Sequence, residues 1–259
     1  MSFAKENKPL SERSAALLAA REARVLSWAL LARLIFLAIV IVLTVLQILE
    51  LIPPGVIAQG PDDAAPMLAI NLVTGAAALL LYRLARRGQH LGKVGLGAVA
   101  IDVTVLALLP LIWLDTLPGL RDYPQGLVKG DLFSIALLLI IINTITLVPL
   151  YPVLMTGGAI VVLGVVAAYG LSRPDLVFTG SYLTHFSTPA LNLGILYIRG
   201  IIIVLAGAFL SILAFSARRT IRQTVELEVA NLELKERQTE MVLAGRMAAL
   251  DGMVSGIAH

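Results

Sequence analysis

The chain has no cysteine, and only 14% of its 259 residues are charged. The absence of cysteine excludes disulfides, thiol redox sensing within the chain and thiolate-bound metals. The scarcity of charge goes with 58% hydrophobic residues and a mean hydropathy of +0.90. A water-soluble domain of this length could not hide so much apolar surface. Histidine is almost missing too: three residues, at 90, 185 and 259, with no spacing suited to a metal site. No GxxxxGK[ST] loop is present to cradle ATP, and no basic patch interleaved with aromatics points to nucleic acid. The first 26 residues are polar and mixed in charge. The apolar run that follows is too long for the core of a cleavable signal peptide. Residues 1–26 therefore read as a cytoplasmic amphipathic lead-in.

Long apolar runs are what the chain does have. In lipid a backbone must satisfy its own polar groups, so each run predicts a helix, and about 20 residues are needed to cross. The expected fold class is all-α: a six-helix polytopic membrane domain over 27–215, with spans at 27–50, 67–85, 94–114, 132–148, 151–171 and 193–215. Between the fourth and fifth, Val148-Pro149-Leu150-Tyr151-Pro152 would break a single helix, so a tight hairpin is expected there. Arginine and lysine cluster before the first span (Lys5, Lys8, Arg13, Arg21, Arg24), between the second and third (Arg83, Arg86, Arg87, Lys93) and after the sixth (Arg218, Arg219, Arg222). The excess of positive charge predicts that these segments, and both termini, are cytoplasmic. Trp28, Tyr82, Trp113 and Tyr169 fall near span ends, as an aromatic belt would.

Charged residues inside spans are costly unless paired or solvated, which makes each a functional candidate. Arg33 lies roughly 9 Å into the first span and Asp102 roughly 12 Å into the third, both from the cytoplasmic side. The matching depths predict an ion pair between them. The alternative is that Arg33 snorkels to the headgroups while Asp102 is neutral or bonded to a hydroxyl. Arg199 sits roughly 9 Å below the outer surface in the sixth span, as a ligand contact or a snorkelling residue. Asn71, Asn143, Thr144 and Thr146 would line a cavity or bridge helices. The pairs Gly157 with Gly164 and Gly200 with Gly207, each seven apart, suggest close helix packing. His185, in the last external loop, would sense pH or be an ordinary loop residue, and His90 lies in a basic cytoplasmic loop.

After Phe215 the composition turns to Arg, Glu, Lys, Leu and Val, with no proline and no glycine before Gly245. One heptad frame runs through 216–244 and beyond, with a positions Arg222, Val229, Glu236, Leu243, Leu250 and Ile257 and d positions Val225, Leu232, Thr239, Arg246 and Met253. Seven of these eleven are apolar. A parallel, dimeric cytoplasmic coiled coil is expected, weakened at Glu236, Thr239 and Arg246. The last fifteen residues, 245–259, read GRMAALDGMVSGIAH. Leu250, Met253, Val254 and Ile257 form an apolar helical stripe, and His259 projects to its side.

This terminal box resembles the histidine-containing box of bacterial sensor histidine kinases. Ala248-Ala249-Leu250, Met253 and Gly256-Ile257-Ala258-His259 carry the resemblance, over about twelve positions. It implies that His259 is the phosphoacceptor, a neutral imidazole that attacks the γ-phosphorus of ATP. It implies that 245–259 begin a dimerisation and phosphotransfer domain. ATP would be bound by a kinase domain not contained in this sequence, with no metal held by this chain. The partners implied are a second copy in a homodimer, a response regulator and the lipid bilayer of a bacterial inner membrane. External loops of about 15–20 residues are too short to fold alone. A small hydrophobic ligand, a lipid, a quinone or the state of the membrane is the kind of signal left. Two other readings stay open: a six-span receptor feeding another output such as a nucleotide cyclase, and a non-enzymatic transporter-like protein.

Overall fold

The computed structural model describes residues 12–51, 61–88, 90–117, 120–173 and 176–257, with the side chains of 12–14, 61–63 and 248–257 left aside. Eight helices occur among the described residues: α1 (Glu12–Ile48), α2 (Pro61–Arg86), α3 (Leu91–Thr116), α4 (Gln125–Lys129), α5 (Leu132–Thr144), α6 (Leu150–Leu171), α7 (Tyr182–Ser187) and α8 (Leu193–Ile257). No strand occurs among them; an isolated bridge joins Phe178 to Leu191. Five of the helices, α1, α2, α3, α6 and α8, are long and apolar enough to cross a membrane. The chain is thus a multi-pass membrane protein, and its exposed apolar side chains, such as Val73, Val161 and Phe209, are the surface that lipid requires.

The sixth apolar helix is shorter than its expected span. The sequence pattern suggests 132–148, but α5 stops at Thr144 after 13 residues, or about 20 Å of helix. The cause is local. Val148 precedes a proline, which disfavours helical backbone, and Leu147 adopts a left-handed φ of 58°. Thr144 and Thr146 donate their hydroxyls to the carbonyls of Ile140 and Asn143, and the second of these is an acceptor that the helix end would leave open. Both hydroxyls are thus bonded within their own segment. Pro149 and Pro152 then stand at the N-cap and in the first turn of α6, where a missing N–H costs nothing.

α5 and α6 form a hairpin. The Tyr151 hydroxyl, at the start of α6, donates to the carbonyl of Gly92 at the start of α3. At the other end of α6, a Cβ added to Gly170 would press on Val128 of α4. The turn at 145–149 therefore lies at the α3 N-terminal end, and α5 runs the distance between the two.

The structure divides into two units, 22–217 and a second one made of 1–21 with 218–259. In the larger unit, Leu106, Leu132, Ala136, Ile140, Met155, Ala159 and Ile203 form the core, so α3, α5, α6 and α8 converge on it. A second cluster joins Leu26 and Leu30 of α1 to Ala85 of α2 and to Val94 and Ala98 of α3.

The changes in composition at 26/27, 215/216 and 244/245 are not helix ends. The lead-in at 1–26 and the first span are, from Glu12 onward, one helix, α1. The sixth span, the coil segment and the start of the terminal box are likewise one helix of 65 residues, α8. No proline interrupts either helix, and Ser27, a residue able to cap a new helix at the first join, instead donates its hydroxyl back to the Ala23 carbonyl as a mid-helix serine does. In the smaller unit, Arg21 Nη2 reaches both carboxylate oxygens of Glu228, at 2.9 and 2.8 Å. Val225 and Val229, assigned to a seam between two chains, are buried within this chain, whereas Leu232 and Leu243 are exposed.

Candidate functional site

Two polar clusters interrupt the apolar interior of the larger unit. The first is Arg33 of α1, Asp102 of α3 and Asn143 of α5, at 6%, 6% and 0% exposure. Arg33 donates from Nη2 to Asp102 Oδ2 at 2.9 Å and from Nε to the same oxygen at 3.2 Å. The structure thus brings the two charged residues of matching depth together. Snorkelling is not what Arg33 does, since its guanidinium is buried against α3 and α5.

Asn143 closes the cluster. It accepts from Arg33 Nη2 at 2.8 Å and donates from Nδ2 to Asp102 Oδ2 at 2.7 Å and to the carbonyl of Leu139 at 2.8 Å. An amide can do this because it carries a donor and an acceptor on one planar group. Its role as a third partner was visible in sequence only as a polar residue in an otherwise apolar helix. A buried ion pair offsets its desolvation only when further hydrogen bonds satisfy the remaining groups. Arg33 Nη1 still has no partner among the described residues. The cluster neutralises its charges internally and offers no free nucleophile. Its chemistry is to hold three helices in one register.

The second cluster lies where α4, α7 and α8 meet. The Lys129 ammonium donates to the carbonyls of His185, Thr188 (2.6 Å) and Ala190 (2.7 Å), so its three donors are all spent on the segment that ends α7. Burial pushes the Lys129 amine below its ordinary value. His185 is fully buried. Its Nδ1 accepts from the Asn192 N–H at 3.0 Å, which places the proton of the neutral ring on Nε2. Burial, with the Lys129 and Arg199 charges, lowers its pKa. The ring is therefore neutral near pH 7, a buried structural group in the loop.

Arg199 donates from Nη1 to the Val128 carbonyl at 2.8 Å and, at 3.4 Å, from Nη1 and Nη2 to the Lys129 carbonyl. Its guanidinium lies 5.5 Å from the centre of the Phe133 ring, a cation–π distance. It is not paired with a carboxylate among the described residues. Beside it opens a cavity of about 310 Å³, lined by α4, α5, α6 and α8.

The glycines behave differently from the packing expected of them. At Gly207 an added Cβ would fall inside the Thr156 side chain, so α6 and α8 do approach closely there. At Gly157, Gly164 and Gly200 an added Cβ would meet nothing within 4 Å. Gly164 and Gly200 instead line the cavity. Helical spacing identifies residues on one face, not what that face meets, and so the cavity was not legible in sequence.

His259 lies outside the described residues. The helix that leads to it, α8, is described to Ile257. Compared with protein-family models, with curated proteins and with solved structures, the chain matches none.

Proposed function

We propose that the chain is the membrane sensor portion of a two-component histidine kinase, with His259 as phosphoacceptor. The carrying observation is that α8 is one unbroken helix from Leu193 to Ile257. It begins in the membrane domain, carries Arg199, and runs into the Gly-Ile-Ala-His box. A helix transmits rotation or translation along its length when no proline or glycine pair interrupts it. A signal that favours one packing of α8 in the membrane domain biases the geometry of the box, provided that it binds the two packings unequally. A kinase domain carried beyond this sequence binds ATP and phosphorylates His259. The phosphoryl group then passes to an aspartate of a response regulator.

The accompanying topology has six crossings, with α5 as the short one, and both termini on the cytoplasmic face of a bacterial inner membrane. The α5–α6 hairpin, turned at the α3 N-terminal end, supports that parity, and the arginine-rich segments support its orientation. The protein acts as a homodimer, joined through exposed apolar positions of α8 such as Leu232 and Leu243. The receptor–cyclase reading explains α8 but not the terminal box, and the transporter reading requires neither.

The test is phosphotransfer in membranes containing the product of the complete reading frame. Radiolabelled ATP should leave an acid-labile, alkali-stable label on the protein, absent from His259→Gln. Label that persists in this variant, or no label in the wild type under any condition that folds the protein, overturns the proposal.

A further inference from the structure

We infer that the cavity beside Arg199 is a binding site for a single-chain amphiphile with a carboxylate head. Its volume, about 310 Å³, falls at the small end of the roughly 300–1,000 Å³ typical of ligand sites. That is room for one apolar chain and not for a two-chain lipid. Val128 of α4, Phe133 of α5, Leu163 and Gly164 of α6, and Arg199 and Gly200 of α8 line it. Arg199 is the single charged side chain among the lining residues. An open groove of about 520 Å³ between α6 and α8 adjoins it through Ala167, Leu196, Gly200 and Val204, so a chain has a continuous apolar path away from the head.

The geometry of Arg199 selects the head group. A guanidinium has five N–H donors. The bonds to Val128 and Lys129 occupy Nη1 and one N–H of Nη2. The Nε–H and the second Nη2–H, which together form the side-on edge of the fork, have no partner among the described residues. That edge matches the two oxygens of a carboxylate. Lys129 contributes charge nearby but no donor, because its three N–H groups are spent. In an apolar setting an unpaired cation is costly, and a bound carboxylate removes that cost. An alcohol or ester of the same chain would fill the cavity without doing so. The two glycines lining the cavity leave open space where any other residue would project a side chain.

This site stands whether or not His259 is phosphorylated, and it is tested by binding alone. The chain is placed in phosphatidylcholine nanodiscs and photolabelled with a diazirine-bearing medium-chain fatty acid. Labelled peptides are then mapped. Saturable labelling at α6 and α8 residues lining the cavity is expected, competed by the unlabelled fatty acid and not by the matching alcohol. Arg199→Gln should weaken apparent affinity by about tenfold or more, as loss of a charge-assisted pair implies. Gly200→Phe leaves the charge in place and should abolish labelling by filling the cavity. Non-saturable labelling spread over lipid-facing residues, equal competition by the alcohol, or labelling unchanged in both variants overturns the inference. Displacement by phosphatidylglycerol in the nanodisc, with no effect of free fatty acid, would also overturn it, because the ligand would then be a bilayer lipid.

Discussion

Arg33, Asp102 and Asn143 show how a single buried carboxylate constrains its neighbours. Asp102 Oδ2 receives Arg33 Nη2 and Asn143 Nδ2 at 2.9 and 2.7 Å. Without that oxygen the Arg33 charge stays buried with one amide carbonyl as partner. Removing one member of a buried pair typically costs about 3–5 kcal/mol, while replacing both by apolar groups of similar volume is near neutral. Asp102→Leu is therefore expected to lower the thermal unfolding temperature sharply in nanodiscs. Arg33→Met with Asp102→Leu should recover most of the loss. A double variant no more stable than Asp102→Leu would mean that the cluster is not acting as a pair. The depth argument identified Arg33 and Asp102 from the chain alone, because 1.5 Å per residue converts position in a span into depth. It could not identify Asn143, whose helix enters from the other direction and whose depth depends on where α5 ends.

At the scale of the elements, glycine separates what periodicity suggests from what packing does. Gly157, Gly164, Gly200 and Gly207 all share the same spacing argument, yet Gly207 alone of the four meets a neighbouring helix. Gly207→Val is expected to destabilise the α6–α8 contact, since the added side chain collides with Thr156 and overpacking costs about 1–3 kcal/mol. Gly157→Ala, with open space around it, should be neutral or stabilise the helix by up to about 1 kcal/mol. Unfolding temperatures of the two variants in the same nanodisc decide this, and equal losses would remove the distinction. The lengths of α1 and α8 make the complementary point. Sequence divides them by polarity, because residues on either side of a join contact different solvents. Backbone hydrogen bonding ignores that difference and continues through it.

For the whole molecule, the absence of native cysteine makes the proposed dimer directly measurable. Single cysteines at 225, 232 and 243 sample three positions of one heptad frame. Val225 is 1% exposed within its own chain, while Leu232 and Leu243 are 39% and 56% exposed. Oxidation in membranes should link Leu232→Cys and Leu243→Cys into disulfide dimers and leave Val225→Cys monomeric. Dimers of Val225→Cys as abundant as the other two would show that the intrachain burial yields to the partner. Absence of dimers at all three would remove the coil. A heptad pattern states that positions prefer burial and does not say against what.

Class, membrane insertion and the terminal Gly-Ile-Ala-His sequence all belong to what this chain specifies locally. Apolar run length, charge placement and motif spacing are properties of contiguous residues, and the bilayer reads them without reference to the rest of the fold. The end of α5 was also encoded locally, by Val148 and Pro149, though hydropathy alone ran past it. The partner of Asp102 beyond Arg33, the neutral buried state of His185, the spent donors of Lys129 and the cavity lined by Arg199 were decided by tertiary structure. Each depends on which faces of α1, α3, α4, α5, α6 and α8 meet. That choice is set by how their side chains fill shared volume, a sum over residues far apart in sequence.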